Sequence, residues 1–92
     1  MDLEEKLQGE IISLAKKNRI EKVILFGSRA RGSNHDRSDI DLAVLGGDVR
    51  AFKYDLDEND RTLLMFDVVD LAKPGLSGEL LAEIERDGVR LL

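Results

Sequence analysis

Residues 23–45, VILFGSRARGSNHDRSDIDLAVL, hold two apolar runs separated by a break rich in Gly, Ser and charge, and this pattern limits what the chain can fold into. Lys22–Phe26 is short, β-branched and apolar, bounded by polar Arg19 and by Gly27, and reads as a strand buried on both faces. Ile40–Leu45 (IDLAVL) reads as a second strand closed by Gly46-Gly47. Ser28 to Gly32 fits a turn or short helix, and Ser33 to Ser38 a polar loop.

The flanks supply helices. Asp2 is placed as an N-cap with Glu5 three residues on. Leu3, Leu7, Ile11, Leu14 and Ala15 then repeat at helical spacing up to Lys16, Lys17 and Asn18, where the basic pair suits the helix dipole. Between Asp48 and Leu64 two periods compete. Phe52, Leu56 and Leu63 fit a helix, Phe52, Tyr54 and Leu56 alternate like a strand, and helix is the expectation. Met65–Leu71 (MFDVVDL) reads as a third strand ended by Pro74-Gly75. Ser77 can cap a helix carrying Leu80, Leu81 and Ile84, which Gly88 stops before a terminal strand Val89–Leu92. The order predicts an α/β (α+β) fold, a small mixed sheet with helices packed against it.

Size and charge narrow the function. With 92 residues and 42% hydrophobic content the chain can fill one modest core, so a single domain over 1–92 is expected. It has no cysteine, which removes disulfides, thiolate ligands and a thiol nucleophile and fits a reducing cytoplasm. The start MDLEEKLQGE is acidic and no run of about 18 apolar residues occurs, so neither a signal peptide nor a membrane span is expected. A net charge of −5 is the wrong sign for holding long nucleic acid, and with only Phe26, Phe52, Tyr54 and Phe66 a base-stacking sheet is poorly supported.

Asp39 and Asp41 then need a reason to sit in an apolar segment. Strand side chains alternate, so both carboxylates face one way, and Asp67 can join them if MFDVVDL lies beside IDLAVL. Two ionised carboxylates about 4 Å apart repel by roughly 4 kcal/mol at an effective dielectric of 20, a large part of a small domain's stability. Such a cluster wants a cation or a proton. Hard oxygen donors select Mg²⁺ or Mn²⁺ over Zn²⁺, and two such ions suit in-line displacement at phosphorus. Gly27 lets backbone approach a ligand, and Ser28 at the start of a helical turn offers an anion its hydroxyl and amide. Phosphate on one side and divalent cations on the other describe a nucleoside triphosphate site.

Gly27-Ser28, ten intervening residues, then Asp39-Ile40-Asp41 resemble the signature of the DNA polymerase β-like nucleotidyltransferase superfamily. The run FGSRARGSNHDRSDIDLAV is similar to its smallest branch, the minimal nucleotidyltransferases, which pair with HEPN-domain proteins as antitoxin and toxin. The resemblance implies that Asp39 and Asp41 bridge two Mg²⁺ ions, and that Asp67 completes a metal site and helps deprotonate the attacking hydroxyl. It further implies that Gly27, Ser28 and Arg31 hold the triphosphate. The expected activity is transfer of an NMP, AMP from ATP, to an acceptor hydroxyl, a tyrosine of the HEPN toxin. A homo-oligomer or hetero-oligomer is compatible with this.

Two alternatives stand beside that expectation: a catalytically silent nucleotide-binding antitoxin, and a transferase acting on a small molecule such as an aminoglycoside. Asp70 competes with Asp67, because DVVD places acids on opposite faces of one strand. Arg29 and Arg37 read as loop charges and His35 as solvent-facing. Asp55, Asp57 and Asn59 start like a calcium loop, but Asp60 stands where Gly is needed and Phe66 where the bidentate Glu belongs.

Overall fold

The computed structural model describes residues 1–35, 38–59 and 64–92. Arg37, Asp60 and Leu63 lie outside these, so the readings that involve them stay at the level of sequence. The elements run α1 (Glu5–Lys17), β1 (Lys22–Phe26), α2 (Ser28–Arg31), β2 (Ile40–Leu45), α3 (Val49–Asp57), β3 (Phe66–Asp70), α4 (Gly78–Asp87) and β4 (Val89–Arg90). The strands form one mixed sheet in the order β3-β2-β1-β4. β1 is antiparallel to β2 and to β4, while β2 and β3 run parallel.

Strand alternation sorts the apolar residues onto the two faces. Val23, Leu25, Ile40, Leu42, Val44 and Phe66 pack with Leu7, Ile11 and Ala15 of α1 and Phe52 and Leu56 of α3 in the main core. Phe26 and Ala43 point to the opposite face, where Ile84 of α4 covers them with Ile24, Val69, Leu71 and Leu80 at the margin. One face therefore carries two helices and the other carries α4. Asp41 and Asp67 share the parity of Ala43 and Val69, so they belong to the α4 side.

The contested segment is a helix where it is described. Asp48 caps α3 by accepting a hydrogen bond from the Ala51 amide at 3.0 Å. Phe52 and Leu56 are buried while Tyr54 is exposed, so the 3.6-residue period outweighs the alternation. Ser77 caps α4 as expected, accepting from the Leu80 amide at 3.1 Å.

Asp2 is not the N-cap of α1. The helix begins at Glu5 with Glu4 in the cap position and no side-chain capping bond. Asp2 turns to α2 instead: its amide donates to the Arg29 carbonyl at 2.8 Å and its carboxylate accepts from the Asn34 side chain at 2.7 Å. β3 is a residue shorter at each end than the apolar run, and β4 closes at Arg90. Past it, the Leu91 amide still donates to the Val23 carbonyl at 2.8 Å.

Candidate active site

The end of β1 and the beginnings of β2 and β3 meet at one end of the sheet. Phe26 lies opposite Asp41, and Asp41 lies opposite Asp67 in the parallel ladder. Asp39 stands one residue ahead of β2 and is exposed. Gly27 follows β1 at φ 75° and ψ −157°, a region that side chains other than glycine's rarely allow. A β-carbon there would overlap Oδ2 of Asp41. The turn therefore requires glycine because the Asp41 carboxylate packs on its backbone.

Ser28 opens α2, which closes at Gly32 in the left-handed conformation, with the Ser33 amide donating to the Ser28 carbonyl at 2.9 Å. The Asp41 carboxyl is pushed up to about 6, first by burial and then by the charges of Asp67, Asp39 and Glu83, with Arg31 opposing. Asp67 and Asp39, the other two acids singled out in the sequence, thus both act on Asp41. Asp70 is not among them. It lies opposite Val44 further along β3, and its carboxylate accepts from the Ala72 amide at 2.9 Å.

Arg31 reaches the same region from α2, but its guanidinium is shared by two acids of α4, Glu83 Oε1 at 3.4 Å and Asp87 Oδ2 at 3.3 Å. Asp87 also holds Arg86 at 2.9 Å. Sequence reasoning missed Glu83 and Asp87. Their signal was the spacing of four residues, which stacks two acids on one helix face. It also left Arg29 as a loop charge, although Arg29 is buried. His35 is exposed, with its amide donating to Ser38 Oγ at 2.8 Å. Asp55 and Asp57 lie within α3, where Asp55 accepts from Asn18 at 2.9 Å and Asp57 pairs with Lys53 at 2.8 Å, an arrangement unlike a calcium loop.

Among the described residues no three His, Cys, Asp or Glu side chains form a ready-made metal cage. The chemistry of Asp39, Asp41 and Asp67 nevertheless suits a hard divalent cation. All their donors are oxygens, and their mutual repulsion at half-buried Asp41 is what such an ion relieves.

Comparison with known proteins matches this arrangement. The sequence profile described as Polymerase beta, Nucleotidyltransferase covers residues 9–92. The chain belongs to this nucleotidyltransferase family. A Methanocaldococcus jannaschii protein that carries the name of a protein adenylyltransferase is 44% identical over 69 residues, covering 72% of this chain and 67% of that protein. Among solved structures, a mutant of the toxin-antitoxin MntA-HpeT aligns with a TM-score of 0.73 and 28% identity over 92% of this chain and 72% of its own. A toxin-antitoxin structure with AMP-PNP aligns at 0.68 with 29% identity, over the same shares. The nucleotidyltransferase fold expected from the Gly-Ser and Asp-Ile-Asp motifs is thereby shown. None of the described helices is long and apolar enough to cross a membrane.

Proposed function

We propose that this nucleotidyltransferase moves AMP from ATP to a hydroxyl of a HEPN-domain toxin and acts as its antitoxin, in the cytoplasm where ATP is abundant. The observation that carries the reading is the Asp41–Asp67 register beneath the Gly27 backbone, with Asp39 close enough to act on Asp41. It places acids and a Gly-Ser turn side by side, as transfer at a triphosphate requires. The partner is supported by relatives, 28% and 29% identical, whose solved structures are toxin-antitoxin assemblies, one of them with AMP-PNP.

In this reading Asp39, Asp41 and Asp67 would hold Mg²⁺, which would supply charge neutralisation for the triphosphate and the leaving pyrophosphate. Gly27 lets the Asp41 carboxylate close against the turn that carries Ser28, and the Ser28 hydroxyl donates to the phosphates. Arg31 exchanges Glu83 and Asp87 for phosphate oxygens. The acceptor oxygen, a tyrosine hydroxyl by the family resemblance, bonds to the α-phosphorus as the bond from that phosphorus to the bridging oxygen of the β-phosphate breaks. Asp67 takes the hydroxyl proton, and pyrophosphate leaves.

The test is to incubate the purified protein and its toxin partner with Mg²⁺ and each labelled nucleoside triphosphate. Expected is an AMP adduct on the toxin, lost with Asp41→Asn while the complex survives. Neutralisation without any adduct, unchanged in Asp41→Asn, would instead favour the silent binding antitoxin.

A further inference from the structure

Arg29 is the buried charged side chain among the described residues, only 6% exposed. A buried guanidinium is costly unless its donors are satisfied. Its Nε donates to the Ser38 carbonyl at 3.1 Å and its Nη1 to the Asp2 carbonyl at 3.2 Å, while its own carbonyl accepts from the Asp2 amide at 2.8 Å. These contacts join three segments. Arg29 directly follows Gly27-Ser28, Ser38 directly precedes Asp39, and Asp2 straps the start of the chain onto Arg29.

The acids of the site differ in what fixes them. Asp41 and Asp67 are locked by ladder registers with Phe26 and with each other. Asp39 lies ahead of β2, outside those registers. What ties its neighbourhood to the Gly-Ser turn is the fork of Arg29, whose planar donors reach two carbonyls that one ammonium could not span. We propose that Arg29 is the positioning residue for Asp39, setting the distance between the metal-side acids and the phosphate-side turn. This rests on the reading that Asp39, Asp41 and Asp67 take a divalent cation.

The sign of the effect separates positioning from simple electrostatics. Removing a positive charge near a cation site should strengthen cation binding by Coulomb's law. Loss of positioning should weaken it, by about tenfold if Arg29 supports Asp39 as outer partners commonly support metal ligands. Mn²⁺ alone serves as the probe, its binding followed by electron paramagnetic resonance for the wild type, Arg29→Met and Arg29→Lys. Leu7→Val, a truncation in the main core on the face of the sheet opposite α4, is the stability control.

Weaker Mn²⁺ binding in both Arg29 variants, with Leu7→Val like the wild type, is the expected result. Equal or tighter binding in the Arg29 variants overturns the inference alone, as does an equal loss in Leu7→Val. A wild type that binds no Mn²⁺ overturns both the inference and the functional reading. Should neither Arg29 variant fold, amide exchange on the wild type decides. Mn²⁺ should then slow exchange at Ser28–Arg29 and at Ser38–Asp39 together, and protection confined to one segment overturns the inference.

Discussion

The Gly27 backbone and the Asp41 carboxylate occupy adjoining space, so that a β-carbon on residue 27 would overlap Asp41 Oδ2. Position 27 also holds φ 75° and ψ −157°. Gly27→Ala should therefore destabilise the fold by about 2 kcal/mol through backbone strain and the displaced carboxylate. Gly9 is the contrast, lying within α1 with nothing within 4 Å of its added β-carbon. Gly9→Ala should stabilise by up to about 1 kcal/mol. Urea denaturation midpoints of the two variants should move in opposite directions, and a common direction would refute the strain argument.

The raised Asp41 carboxyl makes stability depend on pH. Its folded value is about 6 against a reference of 3.8, so the folded state binds this proton more tightly than the unfolded chain does. The contribution is full below the reference value and is lost as pH rises through about 6. Discounted for solvent screening of a half-exposed group, the ionised form costs the fold about 1 kcal/mol at pH 8. Asp41→Asn should therefore be more stable than the wild type by about that amount at pH 8, with the gap closing near pH 4. Urea curves at both pH values check this, and a difference independent of pH would count against the assigned cause.

Asp67 and Asp70 share one strand and answer to different neighbours. Asp67 lies opposite Asp41, whereas Asp70 lies opposite Val44 and bonds the Ala72 amide. Asp67→Asn should lower the rate of AMP transfer by about 10²-fold or more, the usual loss when a proton acceptor at the reacting hydroxyl is removed. Asp70→Asn keeps an oxygen for the Ala72 amide and should stay within a fewfold of the wild type. Single-turnover rates with the toxin as acceptor distinguish them, and the reverse ranking would exchange their roles.

The sheet was readable because its strands are short apolar runs bounded by glycine, and α4 because Ser77 and Gly88 mark its ends. The segment after Asp48 carried two overlapping periods, and only the exposure of Tyr54 separates them. Asp2 has the chemistry of a cap, yet tertiary contacts with Arg29 and Asn34 claim it. At the site, motif spacing singled out Gly27, Ser28, Asp39 and Asp41, and the parallel register sets Asp67 rather than Asp70 opposite Asp41. Glu83, Asp87 and the burial of Arg29 depend on how α4 and the first residues pack around α2, which local periodicity does not encode.

Glu83 binds Arg31 and raises the Asp41 carboxyl, so one substitution should move two observables. Arg31 Nη1 lies 3.4 Å from Glu83 Oε1, and both side chains are more than a third exposed. Glu83→Gln should therefore change stability by no more than about 0.5 kcal/mol. With Arg31 freer to meet phosphate, KM for ATP should fall by about threefold, the equivalent of one exposed ion pair. Removing the Glu83 charge should also let Asp41 ionise at lower pH, carrying the acidic limb of the kcat/KM profile with it. Both shifts are needed to place Glu83 in electrostatic contact with the site. A lower KM with an unmoved acidic limb would confine Glu83 to Arg31, and a moved limb with an unchanged KM would mean that Arg31 does not meet the triphosphate.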